Sequence, residues 1–347
     1  MSLYRIGAAA LIFHAIVSGA SAAPEYRVGV RSMTTSVPTR SQPIELTVWY
    51  PTASVGQPEL IGENKIFKGV SALRNAPVAD GHYPVIVMAH GGFRAAPFHA
   101  GWVASNLASR GYIVGVARPP ALGPRDAQAA VQEIWLRPAD LSATLTAVEG
   151  DPELSVRIKS NSAAVVGFFL GGTSALALAG GRLDAQNYMR SCDDPEAGID
   201  CAWFAKNGVD LKKADVSQLT RSHHDQRIKA VVAIDPELSK SFAPESLTKI
   251  KIPVAIINLG RPDERVPALD ASSLGKAIPD THYDIVPDAV SYSAFSECTP
   301  KGPALLREED GDDTICRDGG SRSREEIHGE IAGKVEAALN RGLSAKP

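Results

Sequence analysis

The stretch AAVVGFFLGGTSALALAG, residues 163–180, has the layout of a nucleophile-bearing turn without the nucleophile. An apolar strand runs into Gly167, and Gly171 and Gly172 open an Ala/Leu-rich helix. Glycines two residues before and two after a central serine, between strand and helix, form the sharp turn that exposes a nucleophilic hydroxyl. Glycine is needed there because backbone passes very close to backbone. The central residue of this turn is Phe169, which has no lone pair to attack a carbonyl.

A second fragment of the same chemistry sits upstream. In AHGG, residues 89–92, a strand ends in glycines, so the backbone N–H groups of Gly92 and Phe93, with that of Leu170, are expected to converge on one oxygen. His90 lies at the strand end and is expected to be structural. Substitute nucleophiles and bases are few. Thr173 and Ser174 fall one turn into the helix, where hydroxyls usually bond their own turn's carbonyls. His282 and His328 are expected at the surface, and His223 and His224 in a solvated loop. The acidic run REEDGDD, 307–313, lacks calcium-loop spacing and is expected to be a solvated loop.

The elements that must hold these groups are legible as patterns. Residues 26–34 and 44–50 alternate apolar and polar like an antiparallel pair. Residues 52–82 carry Gly, Pro and Asn and are expected to be a long surface loop. Continuous apolar runs at 83–92, 112–117, 163–167, 228–235 and 252–258 are the mark of parallel strands buried on both faces. Residues 282–287 make a last edge strand. Helices are expected at 100–111, at 138–150 with Pro138 in the first turn, and at 323–342. Alternating strand and helix predicts an α/β architecture: a mostly parallel sheet with helices on both faces and antiparallel strands at its N-terminal side. The polar stretch 182–226 is expected as an insertion between sheet elements within one domain spanning 23–347.

Composition bounds the alternatives. The 347-residue chain is 44% hydrophobic with a net charge of −3, which excludes the basic face of a general nucleic-acid binder. Residues 1–22 hold one charge, Arg5, an apolar stretch and then SGASAA, which predicts a cleaved signal peptide and a secreted or periplasmic protein. No later run is long enough to span a membrane. Four cysteines in an oxidising compartment predict disulfides, and the simplest of the three pairings is Cys192–Cys201 with Cys298–Cys316, each closing a short polar loop. Their spacing does not suit a metal, and neither a metal nor an organic cofactor is implied.

The chain resembles the predicted dienelactone hydrolases and platelet-activating-factor acetylhydrolase-like proteins of the α/β-hydrolase superfamily. The resemblance rests on TVWYP, YPVIVMAHGG, NLASRGYIV, RPADLSATL, VVGFFLGGTSALALAG, IKAVVAIDP, IPVAIIN and SECTP…CRDGG, in that order along nearly the whole chain. It implies an α/β-hydrolase fold and serine hydrolysis of esters or lactones, with triad order Ser, Asp, His. Carried over position by position, it places the nucleophile at Phe169 and the base at Ser291. The acid falls at Asp235, as in the acetylhydrolases, or at Asp263, as in the dienelactone hydrolases. A serine hydroxyl is no base near neutral pH. Loss of one triad member costs roughly 10⁴–10⁶ in rate and loss of the others little more. The resemblance therefore implies a pseudohydrolase that binds an ester-like or lipid small molecule. A weak esterase with a substitute nucleophile and a protein-binding role for the insertion are the alternatives; no protein partner is legible.

Overall fold

A computed structural model describes residues 25–193, 199–309 and 311–344; the apolar leader lies outside them. Ten strands form the sheet: β1 (Arg27–Thr35), β2 (Ile44–Thr52), β3 (Glu59–Ile61), β4 (Val70–Arg74), β5 (Tyr83–Ala89), β6 (Ile113–Arg118), β7 (Ile158–Phe168), β8 (Ile228–Ile234), β9 (Val254–Leu259) and β10 (Thr281–Val286). Their order is β10-β9-β8-β7-β5-β6-β2-β1-β4-β3. The run from β10 to β6 is parallel throughout, and β2 joins β6 and β1 antiparallel.

Alternation along the central strands explains why they read as unbroken apolar runs. On β5, Val85, Val87 and Ala89 enter one core layer while Ile86 and Met88 enter the other. On β7, Ala163 and Val165 face one way and Ala164, Val166 and Phe168 the other. Helices cover both faces: α1 (Gly101–Ser109), α2 (Glu133–Gly150), α3 (Leu170–Leu178), α4 (Ala185–Met189), α5 (Ile199–Lys206), α6 (Gly302–Glu309) and α7 (Arg324–Ser344). Leu141 and Leu145 of α2 and Leu176 of α3 fill one layer, and Leu107 of α1 with Ile331 and Val335 of α7 fill the other. Disulfides join Cys192 to Cys201 and Cys298 to Cys316. Among the described residues no helix is long and apolar enough to cross a membrane.

Three sequence expectations are corrected here. Residues 52–82 are not all loop, since β4 pairs parallel to β1 and buries Ala72 and Leu73, while Tyr50 Oη donates to Ala76 O at 2.8 Å. Helix α2 starts five residues before Pro138. Its first turn is fixed from a distance: the buried Arg40 guanidinium bonds Glu133 and Asp140 at 2.6–2.9 Å. The acidic run is not a solvated loop, because α6 continues to Glu309 and Asp313 is buried between Arg307 and Arg317.

Candidate functional site

The turn after β7 keeps its sharp geometry. Phe169 sits at φ 59°, ψ −124°, a conformation that costs a residue with a side chain roughly 1–3 kcal/mol. The glycines show what holds it there. A Cβ on Gly167 would lie 2.0 Å from Gly171 O, and one on Gly171 would lie 2.3 Å from Ala89 O. These close approaches lock the end of β7 to the start of α3 and α3 to the end of β5. Backbone bonds complete the turn: Phe169 N–H donates to Ile234 O at 3.0 Å, and Gly172 N–H to Phe169 O at 2.9 Å.

The Phe169 ring does not relax away from the site. It lines a cavity of about 1220 Å³ at the C-terminal ends of the parallel strands, with Phe93, Ser291, Tyr292 and Phe295. Ligands of open α/β sheets bind at this end of the strands. Phe168, one residue earlier, lies tilted against His90, ring centroids 4.9 Å apart, and the Phe169 ring meets the same imidazole edge-on and Phe295 at an angle, each at 5.7 Å.

Of the two acids left open by the sequence, Asp235 is the one that meets Ser291. It directly follows β8 at φ 43° and is buried. Its Oδ1 accepts from Asn258 Nδ2 and from Leu259 N–H, both at 2.8 Å. Oδ2 has no partner of ordinary hydrogen-bond geometry, although the Ser291 hydroxyl faces it. Burial pushes the carboxyl up to about 6, against the downward pull of Asn258, Leu259 and Ser291. Asp263 is exposed on the loop after β9.

The segment that follows Ser291 is clamped from behind by neutral histidines. His90 Nε2 donates to Ala294 O at 3.0 Å, as does Trp102 Nε1. His328 Nε2 lies 2.9 Å from Ser293 O and 3.0 Å from Phe295 O. Carbonyls only accept, so Nε2 carries the proton in both rings. His99 Nδ1 accepts the Ser296 N–H at 3.1 Å. Burial pushes His90 and His328 down to about 4 and His99 to about 2. His90 is structural, as expected. His328 is not at the surface: it is buried, stacked on Trp102 with centroids 3.7 Å apart. His282 is exposed, and neither His223 nor His224 lines the cavity. Ser174 Oγ donates to Leu170 O at 2.8 Å, and Thr173 Oγ1 donates to Glu237 O. Both hydroxyls are buried and engaged.

The loop that carries two of the expected oxyanion donors, Gly92 and Phe93, is occupied by a side chain from α5. Gly92 and Phe93 sit beside the turn, and Leu170 N–H belongs to the first turn of α3, where no intrahelical partner exists. Phe93 N–H, however, donates to Asp200 Oδ2 of α5 at 3.2 Å. Asp200 also faces Arg94, with Nε 3.6 Å away. The partly buried Glu237 carboxyl is within hydrogen-bonding range of Asp200. Burial, and then the neighbouring Asp200 charge, raise Glu237 well above the usual carboxylate range, against Arg137 and Arg94. A Cβ on Gly92 would strike both groups, at 2.3 Å from Asp200 Oδ2 and 2.9 Å from Glu237 Oε1. Helix α5 is seated here by Phe204 packed edge-on against Phe93, centroids 5.1 Å apart, and by the Trp203 ring under Arg94.

Four residues of this arrangement escaped the sequence reading: Arg94, Arg137, Asp200 and Glu237. Arg137 positions the whole 91–93 loop, since its buried guanidinium donates to Gly91 O at 3.1 Å and Phe93 O at 2.9 Å while Glu133 neutralises it. The one available signal was that Asp200 adjoins Cys201, so the predicted disulfide had to fix it in place. Among the described residues no group of three or more His, Cys, Asp or Glu side chains suits a metal ion.

No protein-family model matches the chain, and no curated protein matches it in sequence. In structure it is similar to a ferulic acid esterase from Streptomyces cinnamoneus, with a TM-score of 0.58 and 16% identity over 94% of this chain and 93% of that one. It is also similar to a dienelactone hydrolase from Anabaena variabilis, with a TM-score of 0.49 and 15% identity over 92% of this chain and 100% of that one. The esterase likeness and the strand order give the chain the α/β-hydrolase fold.

Proposed function

We propose that this α/β-hydrolase-fold chain is a dienelactone hydrolase- and acetylhydrolase-like protein that binds a small molecule without hydrolysing it. The observation that carries the reading is Phe169 held in the strained turn, its ring packed on His90 and Phe295, where it lines the cavity with Ser291. In that geometry a serine at 169 and an imidazole at 291, backed by Asp235, would form a triad. The chain has the acid position and the turn, but no atom at 169 to attack and none at 291 to take a proton. The engaged hydroxyls of Thr173 and Ser174 support the reading, because neither is free to replace the nucleophile.

The ligand is ester-like or lipid-like, since the cavity wall combines aromatic rings with a few polar groups. The two disulfides, together with the apolar leader in the sequence, support a secreted or periplasmic single-domain protein with 182–226 as its insertion. The test is hydrolysis of short-chain p-nitrophenyl esters by the purified mature protein. No turnover above the uncatalysed rate is expected. Sustained protein-dependent turnover, with an organophosphonate probe captured at a residue other than 169, would show a substitute nucleophile and overturn the proposal.

A further inference from the structure

The polar corner of the cavity is already filled by a group from the chain itself. Phe93 N–H, the Arg94 guanidinium and the Glu237 carboxyl surround one carboxylate oxygen pair, that of Asp200. Each is suited to an anion. The N–H donates, the guanidinium is cationic, and a carboxyl that keeps its proton donates as well. The surface that should stabilise an oxyanion is thus a carboxylate site, and its present occupant is tethered. Asp200 reaches it on α5, whose second residue after Ile199 is Cys201, bonded to Cys192 on the cavity rim.

We infer that Asp200 is an intramolecular stand-in for a ligand carboxylate, and that the cavity takes a carboxylic acid with an apolar body whose head displaces Asp200 as α5 tilts away. This rests on the binding reading above and names the ligand class. The apolar body would lie along Phe169, Phe295, Leu238 and Val266, which line the remainder of the cavity. A tethered competitor acts at a high effective concentration, in the millimolar range or above for short links, so it suppresses the affinity of a free acid.

The charged and titratable groups facing Glu237 are Asp200 on α5, Arg94 on the loop after β5 and Arg137 on α2; Tyr292 faces Asp200 and Arg94 from the segment after β10. Deprotonating Glu237 turns a donor into a like charge. Acid binding should therefore weaken as the pH rises through the Glu237 transition.

The experiment is calorimetric titration of octanoate, and of octylamine as the opposite charge, into native protein, Asp200→Ala and Asp200→Asn. Octanoate should bind both variants about tenfold or more tighter than it binds the native chain. Octylamine should gain nothing. In Asp200→Ala, raising the pH should weaken octanoate, and adding Glu237→Gln should abolish that dependence. The Asn variant keeps the side-chain shape if Ala disturbs α5. Unchanged octanoate affinity in both variants overturns the inference, as does octylamine binding to the native chain that is lost on removing Asp200. The binding reading fails separately, through turnover of p-nitrophenyl octanoate by native protein.

Discussion

Lowering the pH should loosen this protein well before its surface carboxylates titrate, because burial keeps the three histidines behind the segment 293–296 neutral in the folded chain. The sign follows from the direction of the shifts. His90, His99 and His328 are pushed below the ordinary value of 6.5, so the unfolded chain binds protons that the folded chain refuses. Their contribution is complete above pH 6.5 and is lost as the pH falls toward 4. Between pH 7 and pH 5 each ring gives up about 2 kcal/mol, taking an unfolded value near 6.5 and the folded values of about 4 and about 2. Asp235 acts oppositely: raised to about 6, it favours the folded state as it takes up a proton, offsetting about 1 kcal/mol over the same window. Glu237, also raised, offsets in the same direction. The net loss is about 4 kcal/mol, a large share of the 5–15 kcal/mol by which domains are stable. Urea unfolding at pH 7 and pH 5 reads it directly, as a midpoint lower by about 1 M or more for an m-value near 3 kcal/mol/M. His328→Gln keeps an N–H for the Ser293 and Phe295 carbonyls but cannot titrate, so about half of the net drop should disappear. Equal midpoints at the two pH values, or a drop unaltered in the glutamine variant, would refute the reasoning.

Introducing Ser and His as Phe169→Ser/Ser291→His should give ester hydrolysis only weakly, and adding Asp200→Ala should raise kcat/KM by about 10²-fold, the worth of one oxyanion donor; equal rates with and without Asp200 would show the donor was never blocked. Gly167→Ala should destabilise by more than about 3 kcal/mol, since its Cβ would overlap Gly171 O, and a thermal scan showing no loss would contradict the packing described. Arg137→Met should cost about 3–5 kcal/mol by stranding buried Glu133 against a single remaining arginine, and it should disorder the 91–93 loop, as read by hydrogen exchange. Removing the Cys192–Cys201 bond as a double Ser variant should cost about 2–3 kcal/mol from its short loop, seen as a lower unfolding midpoint under non-reducing conditions.

The sheet was legible because its strands are buried on both faces, which leaves runs such as VIVMA and AVVGF that no surface element shares. The turn at 167–171 was legible for a related reason: glycine spacing there is imposed by backbone contact and survives whatever residue 169 becomes. The start of α2 was not, because Arg40, some ninety residues upstream, decides it. His328 was misjudged although Ile327, Ile331 and Val335 mark the buried face of its helix; polarity was weighed above position on that face. The corner where Asp200 meets the 91–93 loop left one local trace, the neighbouring Cys201, since Asp200 and Glu237 belong to different crossovers and meet only when α5 docks there.

The contacts of Gly167 and Gly171 have a consequence for how such a chain changes over generations. They assign the turn to backbone packing, in which the side chain at 169 takes no part. A change of side chain at 169 would therefore alter the cavity wall and the packing on His90 and Phe295 while the backbone contacts of the turn stay as they are. What descends is a mould, and the casting can be altered cheaply. A fold built this way can keep its architecture while the chemistry offered at one position differs.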